Sequence, residues 1–194
     1  VKMYQEADAE LIKHLGANFT DLQSKGLLLG HDNRMMGPEF AKAIASVFIA
    51  EGVKVYYGGE ASTPEFSAGI EVLGTAACIN ITPSHNPADY SGLKFNPIDG
   101  GPAGSEITSK ITSLSNDLMG ESIDLSFPES PDWVDVKILE AYQTFLKNRG
   151  TLDLPKILNF VKQDNFALVC DYVHGSTRGR AEYLLEGISD LTAL

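Results

Sequence analysis

The chain has 194 residues, 43% of them hydrophobic and 21% charged, a balance that supports one good core and the start of another and excludes a disordered chain. Its formal charge of −11 comes with no local cluster of lysine and arginine, which argues against a nucleic-acid surface and requires any anionic ligand to be met by a few placed cations. No secretory or membrane-length apolar run is present, so a cytoplasmic protein is the expectation, and Cys78 and Cys170 lie in apolar runs without metal-ligand or disulfide spacing.

Taken in chain order, Ala7, Leu11, Ile12 and Leu15 predict an opening helix through about Leu15, and the Leu-Leu-Leu run between Gly26 and Gly30 predicts a strand. Gly30-His31-Asp32-Asn33-Arg34 stands at its end. A helix with Pro38 in its first turn runs through Ala41, Ile44, Val47 and Phe48 to about Gly52. Val53 to Tyr57 reads as a strand, Ala61-Ser62-Thr63-Pro64 opens a helix reaching Leu73, and Ala76 to Ile81 is a further strand. These are two successive βαβ units of an α/β layered fold. Right-handed crossovers leave the strand C-terminal ends on one edge, where open α/β sheets bind ligands, so the Asp32-Asn33-Arg34 turn should meet the loop after Ile81 there.

That loop reads Thr82-Pro83-Ser84-His85-Asn86-Pro87. A hydroxyl, an imidazole and a turn stiffened by two prolines suit a nucleophile loop, in which a serine must stand clear of its backbone beside a proton-transfer partner. The same residues are also ordinary turn formers. Leu93 to Pro97 is hairpin-like, a helix is expected from about Glu106 to Met119, and Gly120 to Asp132 reads as a polar, proline-rich surface connection. Helical spacing returns from Trp133 to Leu146 and from Leu154 to Val161. A domain boundary is expected near Gln163 to Asn165, with a new strand at Phe166 to Cys170 and a helix from Gly179 to Ile188. One βα unit cannot bury both its faces. Asn18-Phe19-Thr20 and Asn80-Ile81-Thr82 match a glycosylation pattern by chance.

The serine loop, with Gly92-Leu93-Lys94-Phe95-Asn96-Pro97 and Gly100-Gly101-Pro102-Ala103, resembles the active-site loop of the α-D-phosphohexomutases, and is nearest in pattern to the phosphoglucomutases. Gly30-His31-Asp32-Asn33-Arg34 is similar to the family's Gly-x-Asp-x-Arg, Ala61-Ser62-Thr63-Pro64 to its Thr-Pro segment, and Asp171-Tyr172-Val173-His174-Gly175 to the Asp-x-x-His-Gly opening its second domain. The resemblance implies a three-layer α/β domain with a mixed sheet over residues 1–163, and the truncated start of a second similar domain over 164–194. It also implies that the family's early Gly-Thr-Ser-Gly-x-Arg segment and its later metal, sugar and phosphate loops lie outside this chain, which is then not expected to turn over substrate efficiently by itself.

The activity implied is interconversion of hexose 1-phosphate and hexose 6-phosphate through a phosphoserine at Ser84 and a hexose 1,6-bisphosphate. Glucose phosphate is favoured by the Asn-Pro-x-x-Gly-Gly-Pro-Ala stretch, with phosphomannomutase and phosphoglucosamine mutase as alternatives. Mg²⁺ is implied on the Ser84 phosphate, its remaining ligands outside the chain. His85 is the implied proton-transfer or loop-steadying residue, and Lys94 a cation beside the transferred group. Arg34 has two open functional roles, holding the phosphate or holding the Ser84 loop, with Asp32 orienting it, beside the equal alternative of an Asp32–Arg34 pair that only secures a turn, and Asn86 joins it as a phosphate-binding candidate. His174, Arg178 and Arg180 invite a phosphate-binding reading at a helix N-terminus, against which the resemblance implies a structural strand-to-helix turn there. A non-catalytic module on the same fold would be expected to have lost Ser84, His85 or Lys94, and a dinucleotide domain would need a Gly-x-Gly-x-x-Gly that Gly30 to Gly37 does not supply.

Overall fold

In the computed structural model, which describes residues 1–121, 126–162, 168–185 and 192–193, the expected opening helix is broken in two. Helix α1 (Lys2–Gln5) stops, and α2 (Ala9–Leu15) restarts behind Asp8, whose carboxylate accepts the Glu10 and Leu11 N–H groups. An aspartate at that point satisfies the free N–H groups of a new helix better than it serves the interior of a longer one. Helix α3 (Phe19–Lys25) was not expected from apolar spacing. It is set by a reciprocal capping box, in which Asn18 Oδ1 accepts the Asp21 N–H at 2.9 Å and Asp21 accepts the Asn18 N–H at 3.0 Å.

Strand β1 (Leu27–His31), helix α4 (Gly37–Ala50), strand β2 (Val55–Glu60), helix α5 (Thr63–Leu73) and strand β3 (Ala77–Ile81) then form the two expected βαβ units. Strand β4 (Leu93–Asn96) returns antiparallel to β3, pairing Ile81 with Leu93 and Asn80 with Lys94. Helix α6 (Ser105–Leu118) comes next. The helix expected from Trp133 begins later, because Val134–Asp135 adds a short parallel edge strand, β5, to β2, and Trp133 stacks on Tyr57 at 4.0 Å between ring centroids. Helices α7 (Ile138–Arg149) and α8 (Leu154–Val161) complete this part. Strand β6 (Val169–Cys170), helix α9 (Arg180–Leu184) and strand β7 (Thr192–Ala193) come last, β6 and β7 pairing in parallel. The expected boundary at 163–165, the first two residues of the strand expected at 166–170 and the end of the helix expected at 179–188 lie outside the described residues.

The main sheet has the order β4-β3-β1-β2-β5 and is mixed, parallel except at the β4 edge. The chain steps from β1 to β2 in one direction and returns across β1 to reach β3, which sends α4 and α5 to opposite faces. The period-2 alternation of strand side chains divides the core accordingly. Leu27 and Leu29 of β1 and Ala77, Ile79 and Ile81 of β3 pack with Ala41, Ala45 and Phe48 of α4, while Leu28 and Cys78 pack with Phe66 and Ile70 of α5 and Ile138 of α7. Every residue of β1 and β3 is buried, as central parallel strands covered on both faces require. At Gly30 a Cβ would stand 2.1 Å from Phe66 Cζ and 2.7 Å from the Gly59 carbonyl, so α5 approaches the sheet only because that residue has no side chain.

Candidate active site at the reversal of strand order

Adjacent parallel strands β1 and β3 end side by side where the strand order reverses, the position at which open α/β sheets leave a crevice. The turns at their ends are tied together. The Asp32 N–H donates to the Ile81 carbonyl at 3.0 Å, and Thr82 Oγ1 donates to Asp32 Oδ2 at 2.7 Å while accepting the Ser84 N–H at 3.1 Å. Asp32 also accepts from Arg34, at 3.0 Å from its N–H and 3.2 Å from its Nε. The Arg34 guanidinium donates onward to the carbonyls of Ser84 (3.4 Å), Asn86 (2.5 Å), Pro87 and Tyr90 (3.5 Å). Of the two roles left open for Arg34, its hydrogen bonds serve the loop. Asp32 and Arg34 keep only 13% and 18% of their side chains exposed, so a charge-assisted network in low dielectric fixes the loop.

Ser84 itself is exposed and takes φ 63°, a left-handed conformation that a serine adopts at a cost. The loop carbonyls converge on Arg34 and leave the Ser84 hydroxyl to His85, whose Nδ1 stands in hydrogen-bond contact at 3.3 Å from Oγ. Ser84, His85, Asn86 and Lys94 all line one cavity of about 730 Å³, with Asp32 and Arg34 in its wall. The same cavity is lined by Asn33, Thr63 and Thr82, which stand in the sequence motifs without a role assigned to them, by Met35, and by the His174 to Ser176 turn. Thr82 had a readable signal in its place between the strand and the serine. Thr63 is held from below by Asn80, whose Nδ2 donates to its Oγ1 at 3.1 Å. Cross-strand pairing puts Asn80 opposite Lys94, which locates the lysine by β-register.

The glycine-rich stretch after Lys94 plays a different part. Asn96 is buried and donates to the Gly100 and Gly101 carbonyls at 3.0 and 2.9 Å, which braces a turn that contributes nothing to the cavity lining among the described residues. Arg178 and Arg180 are absent from that lining too, and their guanidinium groups pair with Glu60 and Glu65.

Residues 2–119 match the family model described as phosphoglucomutase/phosphomannomutase, alpha/beta/alpha domain I. The chain belongs to this family. Phosphoglucomutase from Staphylococcus haemolyticus is 24% identical over 155 residues, 77% of this chain and 27% of the relative. Phosphoglucomutase from Staphylococcus aureus strain USA300 is 25% identical over 167 residues, 86% of this chain and 30% of the relative. Among solved structures, a Thermus thermophilus protein assigned as a phosphomannomutase superposes with a TM-score of 0.69 at 26% identity, covering 90% of this chain and 39% of that one. A phosphoglucomutase/phosphomannomutase family protein from Burkholderia thailandensis shares the fold, with a TM-score of 0.57 at 22% identity over 97% of this chain and 40% of that one. The chain thus spans under a third of the curated phosphoglucomutases it matches.

The three-layer mixed-sheet domain expected of a phosphohexomutase is the observed one, and the part of the family present is the N-terminal part. The described residues do not by themselves make a magnesium site. Among the described residues no group of three or more His, Cys, Asp or Glu side chains is placed to hold a metal ion, and Ser84 supplies one oxygen where an octahedral ion takes several ligands. No helix among the described residues is long and apolar enough to cross a membrane.

Proposed function

We propose that the Ser84 cavity is the phosphoryl-transfer site of a hexose phosphate mutase, and that this chain supplies the serine-loop domain of the activity. The observation that carries the reading is a strained, exposed serine held by a half-buried Asp32–Thr82–Arg34 network, with His85 at 3.3 Å from its hydroxyl and Lys94 lining the same cavity. In the forward half-reaction the phosphorus–oxygen bond at Ser84 Oγ breaks as one forms to a hydroxyl of the sugar monophosphate, which gives up its proton. The resulting bisphosphate turns over, and its other phosphoryl group returns to Ser84 Oγ, so the net change is isomerisation.

Positioning and charge neutralisation dominate such transfers, because the protein contributes little covalent chemistry beyond the serine. Arg34 holds the loop still. Lys94 meets phosphate charge, and His85 carries the proton to and from the serine or steadies its hydroxyl. Asn86, which lines the cavity, is placed to bind phosphate oxygens. A phosphoserine opposite a phosphosugar brings together about three to four negative charges, which is what an Mg²⁺ ion would neutralise, with its remaining ligands outside this chain. Glucose phosphate is the favoured substrate, supported by the phosphoglucomutase relatives, with mannose phosphate next. Residues 1–163 form the first domain in this reading, and 164–194 the start of the second.

The test is phosphopeptide mapping of the full-length protein that carries this chain, wild type and Ser84→Ala, after incubation with glucose 1,6-bisphosphate and Mg²⁺. One phosphoryl group on Ser84 is expected in the wild type and none in the variant. Label elsewhere, or label that survives the substitution, overturns the proposal.

A further inference from the structure

The turn after β6 carries more structure than a link between a strand and a helix requires. Val173 and His174 stand in succession at φ 46° and 58°, a region that suits glycine or asparagine and is costly for a β-branched residue. The turn is held in that state from inside and outside. The Asp171 carboxylate accepts the Val173 N–H at 2.9 Å, the Gly175 N–H donates to the Tyr172 carbonyl at 2.7 Å, and the Asn33 amide donates to the His174 carbonyl. Asn33 belongs to the β1 turn, so the strained residue is bonded directly to the wall that carries Asp32 and Arg34.

A second attachment lies at the start of α9. Arg180 Nε donates to Glu65 at 2.9 Å and its Nη2 to the Glu60 carbonyl at 2.9 Å. Glu65 is 1% exposed and also accepts the Ser62 N–H and hydroxyl, both at 2.6 Å, so the carboxylate that caps α5 is the one that anchors Arg180. Removing one partner of such a pair strands a buried charge, which makes it a firm tether. The first attachment lies in the cavity wall through Asn33, and His174, Gly175 and Ser176 share that lining with Ser84 and Lys94, while the second holds the segment that follows from outside the cavity. With the Arg34 guanidinium given to the loop, the remaining basic residues lining the cavity, among the described residues, are Lys94, His85 and His174. Backbone strain persists where surrounding structure over-determines it, and it gathers at ligand sites.

We infer that His174 is a ligand-contacting residue of this cavity, its imidazole N–H donating to a phosphate oxygen of the hexose phosphate, and that Asn33 and the Arg180–Glu65 pair are the positioning residues that hold it there. The inference rests on the phosphosugar reading above and adds to it a binding residue from beyond the serine-loop domain.

The experiment titrates glucose 1-phosphate into the 194-residue chain by calorimetry, with His174→Gly, His174→Asn and Arg180→Gln beside the wild type, and records each melting temperature. Glycine and asparagine both accept the observed φ, so one variant keeps the test open if the other fails to fold. His174→Gly is expected to melt no lower than the wild type while binding about tenfold more weakly, the loss of one charge-assisted hydrogen bond. Arg180→Gln is expected to weaken binding about threefold and to speed amide exchange at residues 171–178, as a loosened tether would. Folded His174 variants that bind within about twofold of the wild type overturn the inference and leave the cavity reading standing. A wild-type chain that binds neither glucose 1-phosphate nor inorganic phosphate overturns both.

Discussion

The loop at residues 82–90 and the turn at residues 171–176 both contribute to one cavity, yet the first is fastened to the end of a buried sheet and the second hangs from a few side-chain tethers. The serine loop gives four carbonyls to Arg34 and one N–H to Thr82, and both partners end on Asp32, which is itself tied by its backbone to β3. The His174 turn depends on Asn33, and more remotely on Arg180 and Glu65. The difference teaches which wall is prebuilt. A network closed around a half-buried carboxylate keeps its geometry without a ligand, whereas a turn on a few tethers can be displaced by loss of one of them.

The sharpest way to break the comparison is Arg34→Ala. It strips four loop carbonyls of their donor and leaves Asp32 without its cation, so about 2–4 kcal/mol of stability should go. Ser84 labelling by glucose 1,6-bisphosphate should fall by about 100-fold. Denaturant melts and labelling rates check it, and a variant that labels at the wild-type rate would show that the loop stands without its arginine.

Gly30→Ala should cost less, about 1–3 kcal/mol, by pushing Phe66 and with it the α5 start that carries Ser62 and Glu65. Because Glu65 anchors the His174 turn, amide exchange should rise more at 171–178 than at 82–90, and equal rises at both would erase the distinction.

The smallest expected effect is at high pH. Desolvation first, and then the hydrogen bond to Glu182, raise the Tyr172 hydroxyl above its ordinary range, while that oxygen also accepts the Ala181 N–H. A folded-state value raised above the unfolded one gives stability that is complete below about pH 10 and is lost as pH rises through the folded value. Exchange at the turn should therefore quicken above about pH 10 more in the wild type than in Tyr172→Phe.

Much of this arrangement was legible in the residues. The Leu27 to Leu29 run, the Thr63 to Leu73 helix and the strand before Ser84 follow from apolar periodicity, and the βαβ rule alone brings Asp32 and Ser84 to one edge. Local capping chemistry was legible too but was outweighed by apolar spacing, which is why α3 and the break before α2 were missed. At Trp133 the spacing suited a helix, and pairing with Tyr56 and Tyr57 drew Val134 and Asp135 into a strand instead.

The sequence by itself determined the layered fold and the position of the serine loop, because those depend on periods of two and 3.6 residues and on neighbours within a few positions. Only the tertiary structure decided what Arg34 holds, what lies beneath Thr63 and where His174 stands. Those outcomes turn on partners 53, 17 and 141 residues apart, and no local pattern encodes which carbonyl a guanidinium meets or which carboxylate is buried to receive it.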